Sequence, residues 1–135
     1  MKRNNSSIVV VEDNDRTRFL VAAILASMGY KVLEARNGKE ALKLLSQDEV
    51  AGQINAIFLD VVMPELSGIE VLSWIRKRTD FSDIPVLMLT TKDMAEDLID
   101  GYNLGADYYI PKPFSREQIE YGLNLVLNAE KQETA

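Results

Sequence analysis

A lone carboxylate, Asp60, closes the apolar run Ala56 to Leu59 and opens the loop Val61 to Gly68, which contains Pro64. An acid delivered by a buried strand to the mouth of a loop is an aimed reactive group. Elsewhere in the chain, the acidic pair Glu12-Asp13 follows the apolar run Ile8 to Val11. The hydroxyl pair Thr90-Thr91 follows Val86 to Leu89, and Lys112 follows Tyr108 to Ile110. Three carboxylates brought together repel one another, and a bound cation relieves that repulsion. Oxygen donors without imidazole or thiolate favour Mg²⁺. A carboxylate beside such a cation, an ammonium and a hydroxyl is equipped to attack phosphorus. The cation and Lys112 would neutralise the phosphoryl oxygens, Thr90 would donate to them, and an aspartyl phosphate would result.

Composition removes the competing chemistries. The 135 residues contain no cysteine and no histidine, so thiol catalysis, disulfides, Ser-His triads and the usual zinc sites are excluded. A phosphohistidine in this chemistry must belong to a partner. The net charge of -6 argues against direct binding of a nucleic-acid backbone. No apolar run is long enough for a membrane span or a signal core, so membrane insertion is not expected and a cytoplasmic protein is.

The elements that must position these residues are legible as period and punctuation. Ile8 to Val11, Tyr30 to Ala35, Ala56 to Leu59, Val86 to Leu89 and Tyr108 to Ile110 read as strands, the apolar ones buried on both faces as in a parallel sheet. Between them, Thr17 to Met28 (stopped by Gly29), Ala41 to Leu45, Gly68 to Ile75 and Met94 to Leu104 (stopped by Gly105) carry helical spacing. Asn37-Gly38 reads as a turn and the polar stretch Ser46 to Gln53 as a loop or a frayed helix end. Ser115 with Gln118 three residues later reads as a capping box, opening a last helix that ends near Glu130. Alternating strands and helices predict an α/β, (βα)5 flavodoxin-like, doubly wound five-stranded parallel sheet of order 2-1-3-4-5. In that order the carboxyl ends of the strands share one edge. Glu12, Asp13, Asp60, Thr90 and Lys112 then meet in one cleft. The expected organisation is a flexible segment 1–7, one domain over 8–128 and a short tail 129–135.

Five pieces of the chain together resemble the receiver domain of two-component response regulators. They are Val10-Val11-Glu12-Asp13-Asn14, Phe58 to Gly68, Leu89-Thr90-Thr91, Gly105 to Tyr109 and Lys112-Pro113-Phe114. The resemblance implies that Asp60 is the phosphorylated residue, and that Glu12, Asp13, Asp60 and the Val62 carbonyl hold Mg²⁺. It implies catalytic roles for Thr90 and Lys112 beside Asp60, a switch pair in Thr90 and Tyr109, and a cis bond before Pro113. It also implies a histidine kinase or histidine phosphotransfer protein as phosphodonor, a downstream protein target, and no turnover beyond self-phosphorylation and autodephosphorylation. Several positions depart from the usual pattern. Glu12 is one methylene longer than the commoner Asp, Val62 is apolar, Thr91 is large, Lys92 is cationic, and Pro111 precedes Lys112. On that resemblance Val62 and Lys92 flank the approach of hydrolytic water, and either alter phosphoryl lifetime or are passive surface variation.

Two further expectations concern output. No DNA-binding module follows residue 128, so a stand-alone receiver signalling by protein contact is expected, with a module cut from a larger hybrid kinase or response regulator as the alternative. On the last helix, Tyr121 and Leu125 fall at about 200° and 240° from Ile119 at 100° per residue, opposite the core stripe. This second apolar stripe is either a partner or homodimer surface or a pair of scattered exposed apolar residues of the kind common on protein surfaces. An aspartyl phosphatase is the competing enzyme reading, but it calls for a second acid at position 62. A flavin-binding module would need a hydroxyl- and glycine-rich loop where Glu12 to Arg16 stand.

Overall fold

The computed structural model describes residues 7–81, 83–91 and 105–134. The helix expected over 94–104, Lys92 and the segment 1–6 lie outside them. Five parallel strands form one sheet: β1 (Ser7–Val11), β2 (Lys31–Ala35), β3 (Ile54–Asp60), β4 (Val86–Thr91) and β5 (Tyr108–Lys112). Their order is β2-β1-β3-β4-β5, as the alternation of elements predicts. The helices are α1 (Asp15–Ser27), α2 (Gly38–Leu45), α3 (Asp48–Ala51), α4 (Gly68–Lys77) and α5 (Arg116–Thr134), with a 3-10 turn at Thr79–Phe81.

The continuous apolar runs bury both sheet faces because successive side chains point to opposite sides. Val9, Val11, Ile57, Leu59 and Met88 face α2 and α4, packing with Ala41, Leu45, Val71, Leu72 and Ile75. Ile8, Val10, Ala56, Phe58, Leu87 and Leu89 face α1 and α5, packing with Val21, Ile24, Leu25, Ile119 and Leu123. Central β3 is buried along its whole length, Asp60 included.

Helix starts are capped by side chains that satisfy otherwise unpaired N–H groups. Asn14 accepts from Thr17 N at 2.9 Å. Asn37, read as part of a turn, instead caps α2 by accepting from Glu40 N at 2.8 Å. Ser67 and Glu70 form a reciprocal capping box at α4. Ser115 and Gln118 bond each other's backbone N–H groups at 2.8 and 3.2 Å, as expected. The segment expected as a loop or frayed helix end contains a separate short helix, α3. Its Asp48 and Glu49 disguise one apolar anchor, Val50, which is buried. The last helix runs to Thr134, past its expected end near Glu130.

At the amino-terminal edge of β4 and β5, the Arg76 guanidinium ties four points together. It donates to the Gly105 carbonyl at 2.8 Å, to the Ile84 carbonyl at 2.7 Å, to the Phe81 carbonyl at 3.3 Å and to Asp107 at 2.7 Å. Asp107 in turn accepts from Val86 N at 2.8 Å. This clamp sits at the opposite end of the sheet from the carboxylates.

Candidate functional site

The parallel sheet brings the predicted residues to its carboxyl edge. β1 stops at Val11, and Glu12 follows with only 1% of its surface exposed. Its N–H donates to the Ala35 carbonyl at 3.1 Å, and its Oε2 accepts from Asn14 N at 3.0 Å. Asp13 is exposed. Asp60, 3% exposed, ends β3. Carboxylate oxygens of Glu12, Asp13 and Asp60 lie within 4.8 Å of one another. Lys112 reaches across from β5 and places Nζ 2.8 Å from Glu12 Oε1 and 3.1 Å from Asp60 Oδ1.

Burial raises the Asp60 pKa from an ordinary 3.8 to about 7, with the Glu12 charge acting in the same direction and Lys112 opposing it. For Lys112, burial acts downward, yet the hydrogen bonds and charges of Glu12 and Asp60 outweigh it and hold the ammonium above its ordinary value. The acids are therefore under-compensated by one ammonium. An all-oxygen donor set in that condition, with one member open to solvent, suits a hard divalent cation.

Thr90 is buried at the end of β4, and its hydroxyl donates to the Thr91 carbonyl at 3.2 Å. In the ladder Thr90 stands opposite Pro111, and Thr91 opposite Lys112. The hydroxyl is at the site's edge but is turned along its own strand. Tyr109 pairs with Met88 and packs half-buried against the core on the α2–α4 side of the sheet. The Lys112–Pro113 peptide bond is cis, as the resemblance implies.

The β3–α4 loop wraps the acid. Val62 N lies 3.4 Å from Asp60 Oδ1, while the Val62 side chain is 56% exposed at the site's mouth. Glu65 takes a left-handed φ of 67°, and Leu66 N donates to the Pro64 carbonyl at 2.8 Å across it. That tight turn is unusual for a residue with a β-carbon. Gly68 then starts α4 directly against β3. Its N–H donates to the Val61 carbonyl at 2.9 Å, and a β-carbon built on it would lie 2.1 Å from the Asp60 carbonyl oxygen.

Tyr121 and Leu125 are 60% and 42% exposed on α5. The Tyr121 ring lies 6.5 Å from that of Tyr108. Together with Ile110, Pro111, Glu117 and Gln118 these tyrosines line a cleft of about 250 Å³ between β5 and α5. Sequence reasoning missed two residues of the site region, the α4 cap Ser67 and the buried Arg18. The first was visible as Ser67-x-x-Glu70. The second gives no local signal, since a helix arginine ordinarily reads as solvated.

This fold and this edge define a receiver domain. The response regulator receiver domain profile matches residues 8–124, and the chain belongs to that family. Among curated relatives, it is 39% identical over 120 residues to a probable transcriptional regulator, ycf27, of Cyanidium caldarium, covering 89% of this chain and 45% of that one. It is 39% identical over 112 residues to the response regulator MprA of Mycolicibacterium vanbaalenii, covering 83% and 46%. Among solved structures, the chemotaxis protein CheY4 of Vibrio cholerae superposes with a TM-score of 0.81 at 31% identity, covering 90% of this chain and 98% of that one. The chain spans about half the length of the curated relatives it matches. Among the described residues no helix is long and apolar enough to cross a membrane.

Proposed function

We propose that Asp60 accepts a phosphoryl group from a phosphohistidine of a histidine kinase or histidine phosphotransfer protein. An Asp60 carboxylate oxygen forms the new bond to phosphorus as the phosphorus–nitrogen bond breaks, and the electron pair leaves with the partner's imidazole. Water later cleaves the aspartyl phosphate and restores Asp60. Glu12, Asp13, Asp60 and the Val62 carbonyl would hold Mg²⁺, which supplies charge neutralisation at the phosphoryl oxygens. Lys112, already bonded to Asp60, supplies a second cationic donor. The observation that carries this reading is the Lys112 ammonium held between two buried acids, with a third acid open to solvent beside them.

Phosphorylation adds charge and acceptor oxygens at Asp60. The Thr90 hydroxyl would exchange the Thr91 carbonyl for a phosphoryl oxygen, and the space it leaves would let the Tyr109 ring shift. The surface formed by β5 and α5 then changes, which biases a two-state equilibrium read by a downstream protein target. We assign no turnover beyond phosphorylation and dephosphorylation of Asp60.

The test is incubation with acetyl phosphate and Mg²⁺, followed by mass measurement beside Asp60→Asn. A phosphoryl increment in the unmodified chain alone supports the reading. No increment there, or an equal one in the variant, overturns it.

A further inference from the structure

Glu12 stands one residue past the end of β1, so its carbonyl has left the sheet ladder in a buried setting. Arg18 Nη1 donates to that carbonyl at 3.0 Å. The same guanidinium donates through Nη2 to Asp15 Oδ1 at 2.7 Å and through Nε to Glu34 Oε1 at 3.1 Å. It is 5% exposed and joins three elements: the end of β1, the first turn of α1, and β2. Asp15 and Glu34 already more than balance its charge and set its plane. The bond to Glu12 is therefore surplus to neutralisation. What it does is fix the peptide between Glu12 and Asp13, while the Ala35 carbonyl fixes the preceding peptide by accepting from the Glu12 N–H at 3.1 Å.

Rotation about that peptide would swing both carboxylates away from Asp60. We infer that Arg18 is a positioning residue for cation binding, acting through the Glu12–Asp13 main chain so that both acids face Asp60. It touches neither cation nor phosphoryl group. A lysine at this position keeps the charge but cannot present a planar fork to three partners. Groups that orient metal ligands from outside typically set affinity by an order of magnitude.

This inference rests on the reading of the acidic cluster as a divalent-cation site, and the experiment separates the two. Mg²⁺ affinity is measured by isothermal titration on the unmodified protein, Arg18→Lys, Glu34→Gln and Arg76→Lys, with denaturant stability measured on each. The Arg76 clamp is a matched control, a multiply bonded guanidinium at the far end of the sheet. Arg18→Lys is expected to weaken Mg²⁺ binding about 10-fold. Glu34→Gln, which loosens one arm of the fork, should weaken it in the same direction. Arg76→Lys should lower stability and leave Mg²⁺ affinity within about twofold, because an outer-shell effect on affinity needs contact with the ligand set.

If Arg18→Lys does not fold, Glu34→Gln decides. Folded variants at positions 18 or 34 that bind Mg²⁺ like the unmodified protein overturn the inference, as does an equal loss in Arg76→Lys. Failure of the unmodified protein to bind Mg²⁺ overturns the cation site itself.

Discussion

The Lys112 ammonium sits closer to Glu12, at 2.8 Å, than to Asp60, at 3.1 Å. The resident counter-ion of Asp60 is thus shared with a neighbour that is itself buried. Removing it by Lys112→Met leaves two buried acids facing each other, at a cost of about 2 kcal/mol in the presence of EDTA at pH 8. The loss should shrink at pH 6, where Asp60 can take up a proton. Urea unfolding at both pH values measures it; an equal loss at the two would contradict the shared-ammonium account.

Asp60 makes stability depend on pH with a definite sign. Its folded-state pKa of about 7 lies above the ordinary 3.8, so between those values the folded chain holds a proton that the unfolded chain has released. Stability from this group therefore falls as pH rises through that window, and the penalty is complete above it. In EDTA, Asp60→Asn is expected to stabilise the protein by on the order of 3 kcal/mol above pH 7. The gap should close toward pH 4. Thermal melts across that range check the slope, and a gap independent of pH would refute it.

Gly68→Ala forces a methyl group against main chain that cannot yield. We expect a stability loss of about 2 kcal/mol. Phosphorylation of Asp60 by acetyl phosphate should slow with it, because the displaced atoms belong to Asp60. Gly52→Ala, where nothing lies within 4 Å of the added carbon, should change stability by less than about 0.5 kcal/mol. Equal behaviour of the two variants would show that the close approach is not what matters.

Val62 presents an apolar side chain at the mouth of the site, where the proposed dephosphorylation would bring in its water. Asparagine there can hold that water by a hydrogen bond. Dephosphorylation of Val62→Asn should accelerate by at least about threefold, roughly 0.6 kcal/mol in the barrier. Phosphate release after removal of the donor gives the rate; an unchanged rate makes Val62 a passive surface residue.

Tyr121 and Leu125 test the output surface. A Tyr121→Ser/Leu125→Ser double variant should keep Asp60 phosphorylation, since both residues lie on α5 away from the acids. Its sedimentation behaviour with and without beryllofluoride is then compared with that of the unmodified chain. Loss of a beryllofluoride-dependent mass increase supports a homodimer surface. A mass increase retained in the double variant counts against these residues.

How far the sequence discloses this molecule depends on the range of the force concerned. Strand identity, sheet order and the edge shared by Glu12, Asp13, Asp60, Thr90 and Lys112 were legible, because apolar period and crossover handedness act over many residues at once. The caps at Ser115 and Gln118 were legible because the bonds are local. The helix α3 was hidden because Val50 alone carries its burial among acids and polar residues. Arg18 was hidden for the opposite reason. Two of its three partners are close in sequence, but only the tertiary fold turns it inward and adds Glu34. The preference of Lys112 for Glu12 and the present hydrogen bond of Thr90 are matters of tenths of an ångström and a rotamer, which residue type and spacing do not encode.

Asp60 and Gly68 bracket the β3–α4 loop as two fixed posts, one the proposed phosphoryl acceptor and the other a place where no side chain fits. Between them Val62 and Glu65 face solvent. The loop can therefore change its chemistry at those positions while its ends stay anchored. On the proposed function, the lifetime of a phosphoryl group on Asp60 is adjustable through substitutions in the loop, with the acid and the start of α4 held in register.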